Sequence, residues 1–257
     1  MFTKLPLIVQ TTNKRSSSGT SFRKVARVLL AIAPAAFIAT CVYLKLYDKQ
    51  LYQWLISEDS IFEWMQCLLY FISSVVAVVC SVRFVRVGQG LLAAAYLIFG
   101  LGLFFTAGEE ISWGHSMFEL ELPRYFQEHN VQGDLTLHNL DAVQPFLHNA
   151  YVLVGFVGAL GWLIVPFLFK GKTAKFLLVL LPGRLTTLYF FPVFLFYGYV
   201  EYVLPLVREF GLSAWDASFD FQQTFLLFKD QETVELLLAA AFLIHSLLSL
   251  RFSARAA

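Results

Sequence analysis

Acidic side chains are missing from four long stretches of this chain: none precedes Asp48, none falls between Glu63 and Glu109 or between Asp141 and Glu201, and none follows Glu235. Cysteine is scarce as well. Cys41, Cys67 and Cys80 are the whole complement, each inside an apolar run, so neither a disulfide framework nor a thiolate metal site is implied. Charge of either sign is thin, at 14% of residues against 58% apolar. The chain has no glycine-rich nucleotide loop and no internal repeat, which argues against ATP-driven activity by this chain alone. Nor is there a basic stripe that would recognise nucleic acid. The alternation of barrel strands is absent too, leaving the helix as the only way for an apolar run to satisfy its backbone in lipid.

What is present is a set of apolar runs approaching the roughly 20 residues that cross a bilayer. Six spans are expected: Val25 to Tyr47, Ile61 to Val85, Gly90 to Gly108, Phe146 to Phe169, Thr186 to Val207 and Thr233 to Leu250. The fold class is therefore all-α, a polytopic transmembrane helix bundle. Around 24 polar and basic residues come before the first run and no small-x-small pattern closes it, so it reads as a retained helix rather than a cleaved signal.

The acid-free stretches set the orientation. With the amino terminus inside, fourteen of the nineteen Lys and Arg and none of the eighteen acids fall on the inner side; basic residues are retained in the cytoplasm. Both termini are thus expected in the cytoplasm of a bacterial inner membrane. Residues 1–24 read as a disordered basic tail, 25–251 as one transmembrane domain with outer loops 48–60, 109–145 and 208–232, and 252–257 as a second cytoplasmic tail. The loop 109–145 is long for an idle connection, and Phe219 to Phe228 read as an interfacial segment of the last outer loop.

The outer face is where chemistry is expected. Glu109, Glu110, Ser112, His115, Asp134, His138, Asn139 and Asp141 crowd one segment, and two adjacent acids at a helix carboxyl end oppose the helix dipole, which suggests use rather than stability. Glu201 lies roughly 9 Å inside the fifth span at 1.5 Å per residue, in a helix crowded with Tyr and Phe that could line an aromatic cavity. If the helices converge, Glu63, Glu109, Glu110, Glu201 and Glu235 meet at one depth and repel unless cations or histidines offset them. Glu110, His115, His138 and Glu201 are the candidate acid–base groups. Carboxylates with imidazoles also suit a divalent metal, Zn, Mn or Fe, with Glu109, Glu110, His115 and His138 as ligands and Glu63, Asn139, Asp141 and Glu235 in support. The spacing matches neither HExxH nor the Glu-x-x-His pair of di-iron bundles. Ser112 and His115 lack a nucleophile elbow. Gly100, Gly102, Gly155, Gly158 and Gly161 read as helix-packing surfaces.

The run Glu109-Glu110-Ile111-Ser112-Trp113-Gly114, followed by Asn130-Val131-Gln132-Gly133-Asp134 and Leu137-His138-Asn139-Leu140, resembles a block seen in bacterial polytopic inner-membrane proteins of no known activity. Glu58-Asp59 with Glu63-Trp64 is similar to another piece of it. The resemblance implies a multi-pass membrane protein and no particular reaction. Zinc hydrolases of the alkaline ceramidase and adiponectin-receptor type hold their metal with histidines inside several spans; here only His245 lies inside a late span, without a second histidine four residues away. Three functions stay open. The first is a membrane enzyme with a metal or carboxylate site, acting on a lipid or lipid-linked substrate at the outer leaflet. The second is a non-catalytic subunit or assembly factor bound to a membrane protein partner. The third is a cation- or proton-coupled carrier.

Overall fold

The computed structural model describes residues 17–57, 60–131, 133–209 and 230–256. Among these residues six helices are long and apolar enough to cross a membrane, and the only strand-like pairing is an isolated bridge between Asn130 and Leu140. The chain is an all-α, multi-pass membrane bundle. The spans lie in α1 (Ser17–Tyr47), α3 (Ile61–Arg86), α4 (Gly90–Glu110), α7 (Gln144–Leu168), α9 (Thr187–Gly198) with its continuation, and α11 (Gln231–Ala256). Shorter helices are α2 (Lys49–Leu55), α5 (His115–Phe118), α6 (Arg124–His129), α8 (Gly171–Leu180) and α10 (Leu204–Glu209).

The boundaries differ from the sequence expectation in informative places. Helix α1 starts at Ser17, inside the tail expected to be disordered, because a helix nucleated in the span propagates at little cost. Helix α11 runs on through the second expected tail; Phe252 packs beside Phe84, and Ser253 is fully buried with its Oγ 3.0 Å from Leu250 O, to which it donates. At the acidic end α4 continues through Glu110 and α11 begins before Glu232, so these carboxylates stand on helices rather than in loops. The aromatic segment Phe219 to Phe228 and the pair Glu58-Asp59 lie outside the described residues.

Small side chains set the packing order. Ser74 Oγ donates to Gly100 O at 2.7 Å and Ser81 Oγ to Ala93 O at 2.7 Å, drawing α3 against α4. Gly155 and Gly158 sit against α9 so closely that an added Cβ would lie 2.6 Å from Phe194 N and 2.3 Å from the Phe190 ring. These contacts match the small-residue interfaces of membrane helices. Helix α4 packs on α3, α3 on α11, α11 on α9 and α9 on α7. Helices α4 and α7, the two ends of this series, stand apart across a cavity.

The basic end of the gap is closed. Helix α8 spans α7 and α4 there, and Phe84, Leu92 and Tyr96 pack with Phe176, Val179 and Phe252. The Tyr96 hydroxyl donates to Val179 O at 2.9 Å and lies 2.8 Å from Ser249 Oγ. His245 is buried here with its ring edge-on to Phe99 and its side chain bonded to the Leu180 backbone. It is a packed core histidine.

Candidate functional site: a carboxylate-ended cavity

The acidic end of the bundle carries an ordered loop. Asn130 Oδ1 accepts from the amides of Gly133 (2.8 Å) and Asp134 (3.3 Å), and its Nδ2 donates to Thr136 O at 2.9 Å. Gly133 has φ +72, a conformation glycine takes without penalty. Asp134 accepts from Thr136 Oγ1 (2.6 Å), Asn139 Nδ2 (2.9 Å) and Ser112 Oγ (3.3 Å). Val131 N reaches Asn139 O and Asp141 N reaches His129 O, closing the segment on itself.

Glu109 ties this loop to the bundle. Its Oε2 accepts from Leu137 N at 2.7 Å and His138 N at 3.0 Å and faces His138 Nδ1 at 3.2 Å, while Oε1 accepts from Trp113 Nε1 at 2.6 Å. Only 5% of its surface is exposed. To bring the indole back over the end of α4, the chain makes a left-handed turn through Ser112, Trp113 and Gly114, with φ of 49°, 53° and 79°. Two non-glycine residues in this region cost on the order of 1–2 kcal/mol each. The ring lands on Gly108, where a Cβ would stand 2.7 Å from it. Thus the polar side chains of Glu109, Trp113, Asn130, Asp134 and Asn139 have a structural explanation, and Glu110 is the exception.

Glu110 lines the cavity, as do Glu63 of α3 and Glu232 and Glu235 of α11. These carboxylates interact electrostatically with one another. The cavity measures about 730 Å³. Its acidic end includes Tyr197, which donates to Glu235 Oε1, and Tyr151, which stacks on Tyr197 with ring centroids 4.5 Å apart and planes 11° from parallel. Its body is apolar, formed by Phe99, Leu103, Val154, Leu238 and Phe242, and Leu137, His138 and Asn139 of the loop contribute to its wall. Gly102 and Phe105 of α4 and Ala150 of α7 line it while being exposed, so the space opens sideways between those helices. Gly102, expected to pack against a helix, faces this opening instead, and a Cβ there meets nothing within 4 Å.

The other expected site residues are distributed unevenly. Glu201 sits in a π-helical turn, Tyr199–Val203, and pairs with His148, whose ring is 5.4 Å from Tyr197; His148 reaches the cavity although Glu201 does not line it. His115 does not line it either. Asp141 is exposed and faces His129 at 3.4 Å, and it does not share a face with His138 because the segment is a turn rather than a helix. Ser112 bonds to Asp134, not to a histidine. Sequence reasoning missed Glu232, whose signal was its three-residue spacing from Glu235 on one helix face. It also missed Gln66, one turn from Glu63, which donates to Glu232 Oε2 at 2.9 Å.

Beside the cavity, α1 and α2 are fastened to the start of α11. Lys45 pairs with Asp230, and Tyr52 donates to Asp230 Oδ1 at 2.7 Å. Burial, with Asp230 adjacent, pushes the Tyr52 phenol up, so it remains a donor.

Among the described residues no group of three or more His, Cys, Asp or Glu side chains is arranged to hold a metal ion. The proposed ligands Glu109 and His138 engage each other and the loop backbone, and His115 is elsewhere, so this donor set does not fit a metal. No protein-family model matches the chain, and neither a curated protein nor a solved structure shows significant similarity to it.

Proposed function

We propose that this protein is a membrane-embedded acid–base enzyme acting on a lipid or lipid-linked molecule, with the polar end of the substrate among Glu63, Glu110, Glu232 and Glu235. One observation carries the reading: a single cavity of about 730 Å³ has carboxylates at one end, an apolar body, and a sideways opening between α4 and α7. Pockets of roughly 300–1,000 Å³ accommodate one small ligand. A soluble polar substrate would gain nothing from the apolar body, and a purely apolar one would leave the carboxylates unsolvated.

Glu110 and Glu235 come from different helices and lie in each other's field, the arrangement in which one carboxyl can donate a proton and the other accept one. Tyr197, bonded to Glu235, would orient the second of the pair. By the charge bias of the loops, this end faces the outer leaflet of a bacterial inner membrane. The carrier alternative is less supported, since the half of the bundle beyond Phe99 is filled by packed side chains.

The test is turnover. The purified protein, in nanodiscs made from total bacterial lipid extract, should deplete one lipid species as followed by mass spectrometry. Glu110→Gln and Glu235→Gln should each slow this at least about 100-fold while the protein stays folded. Unchanged turnover in both variants would remove the acid–base assignment.

A further inference from the structure

We infer that the molecule held in this cavity carries a positively charged amine or quaternary ammonium at its polar end and reaches the carboxylates sideways from the bilayer between α4 and α7. This rests on the preceding reading of the cavity as the substrate site and narrows its substrate class.

The sign of the charge follows from the lining. Its acidic members are Glu63, Glu109, Glu110, Asp134, Glu232 and Glu235, and among the described residues it contains no lysine or arginine. The two histidines in the lining already face carboxylates: His138 faces Glu109, and His148 faces Glu201. An anionic headgroup such as a phosphate needs cationic side chains or open backbone amides. The loop amides nearest the cavity, those of Leu137 and His138, are taken by Glu109. A phosphate would therefore meet carboxylates with no lysine or arginine in the lining to offset them, whereas an ammonium would meet Glu110 and Glu235.

The aromatic lining points to the same ligand. Tyr70, Tyr151 and Tyr197 line the carboxylate end, with Phe99 and Phe242 beyond them. Aromatic faces beside carboxylates are the usual surroundings of bound alkylammonium groups.

The route follows from the helix order. Helix α8 closes the basic end and the Glu109-tethered loop contributes to the wall at the acidic end. Between them Gly102, Phe105 and Ala150 border the cavity and are exposed. An acyl chain can lie between α4 and α7 while its headgroup enters.

The experiment uses the full chain in phosphatidylcholine nanodiscs and three diazirine-bearing probes with the same sixteen-carbon chain, ending in trimethylammonium, hydroxyl or phosphate. Crosslinked peptides are read by mass spectrometry. The ammonium probe should label residues 102–106 and 143–154 about tenfold more than the phosphate probe. Gly102→Trp should abolish that labelling, and Glu110→Gln should reduce it severalfold. Gly102→Trp places its side chain in open space, so it remains informative if Glu110→Gln fails to fold. Equal labelling by all three probes, or stronger labelling by phosphate, overturns the headgroup inference and leaves the cavity reading standing. Absence of cavity labelling by any probe defeats the cavity reading itself, and this inference with it. Loss of ammonium labelling on addition of equimolar tetramethylammonium would mean that the site takes a soluble cation, which overturns the amphiphile.

Discussion

Glu109 and Glu110 are adjacent on α4 and serve two different regions. Glu109 lines the cavity as well but is tied to the loop side, where three donors and the His138 imidazole converge on its two oxygens. None of those donors goes to Glu110, whose described electrostatic neighbours are Glu63, Glu109, Glu232 and Glu235 together with Tyr70, Tyr151 and Cys67. Asp134 repeats the first pattern, accepting three bonds within the loop. A buried carboxylate supplied with donors stabilises a fold. One set among like charges works against folding, and retaining it calls for a functional reason.

Breaking the loop side should have the largest effect on stability. Glu109→Ala strips the acceptor from Leu137 N, His138 N and Trp113 Nε1, and should cost about 3 kcal/mol or more. Thermal unfolding in detergent would show the loss, and hydrogen exchange at residues 130–141 would show the loop released; a change below about 1 kcal/mol would contradict the tether. Next comes Gly108→Ala, which pushes the Trp113 ring off α4 and should cost roughly 1–3 kcal/mol by overpacking, with faster exchange in the same loop. Tyr197→Phe acts across to the cavity side. It removes the donor to Glu235 and should cost about 1–2 kcal/mol, seen as a lower unfolding midpoint.

The smallest effects on stability are expected at the cavity. Glu110→Gln should leave the protein within about 1 kcal/mol of wild type, or more stable, because it removes one of several like charges. Turnover should nonetheless fall. If its unfolding midpoint dropped as far as that of Glu109→Ala, the contrast between the neighbours would collapse. Gly102→Trp should be within about 0.5 kcal/mol, since no atom beyond its own helix backbone and chain neighbours lies within 4 Å of the added Cβ, yet it should block labelling of the cavity.

Much of the fold was legible along the chain. The acid-free runs marked the spans to within a few residues, and the bias of charge marked which helix ends share a side. The site was legible only in outline. The Glu-Glu-x-Ser-Trp-Gly run drew the eye to both glutamates equally, because a one-dimensional pattern cannot reveal that a left-handed turn at Ser112 to Gly114 sends the indole back to one of them. His115 and His138 had equal standing for the same reason. Gly102 read like Gly100, although the first borders open space and the second packs on Ser74 and Ala77.

The sequence by itself determined that this is a multi-pass helical membrane protein with its acids collected at one end, since burying backbone in lipid leaves no alternative to helices and the cost of burying charge keeps carboxylates out of the hydrocarbon's centre. Tertiary structure alone decided which of the cavity-lining carboxylates are tied to the loop by donors and which are set among like charges. That choice depends on the order in which the helices pack, and on the gap left between α4 and α7, neither of which is a property of any local run of residues.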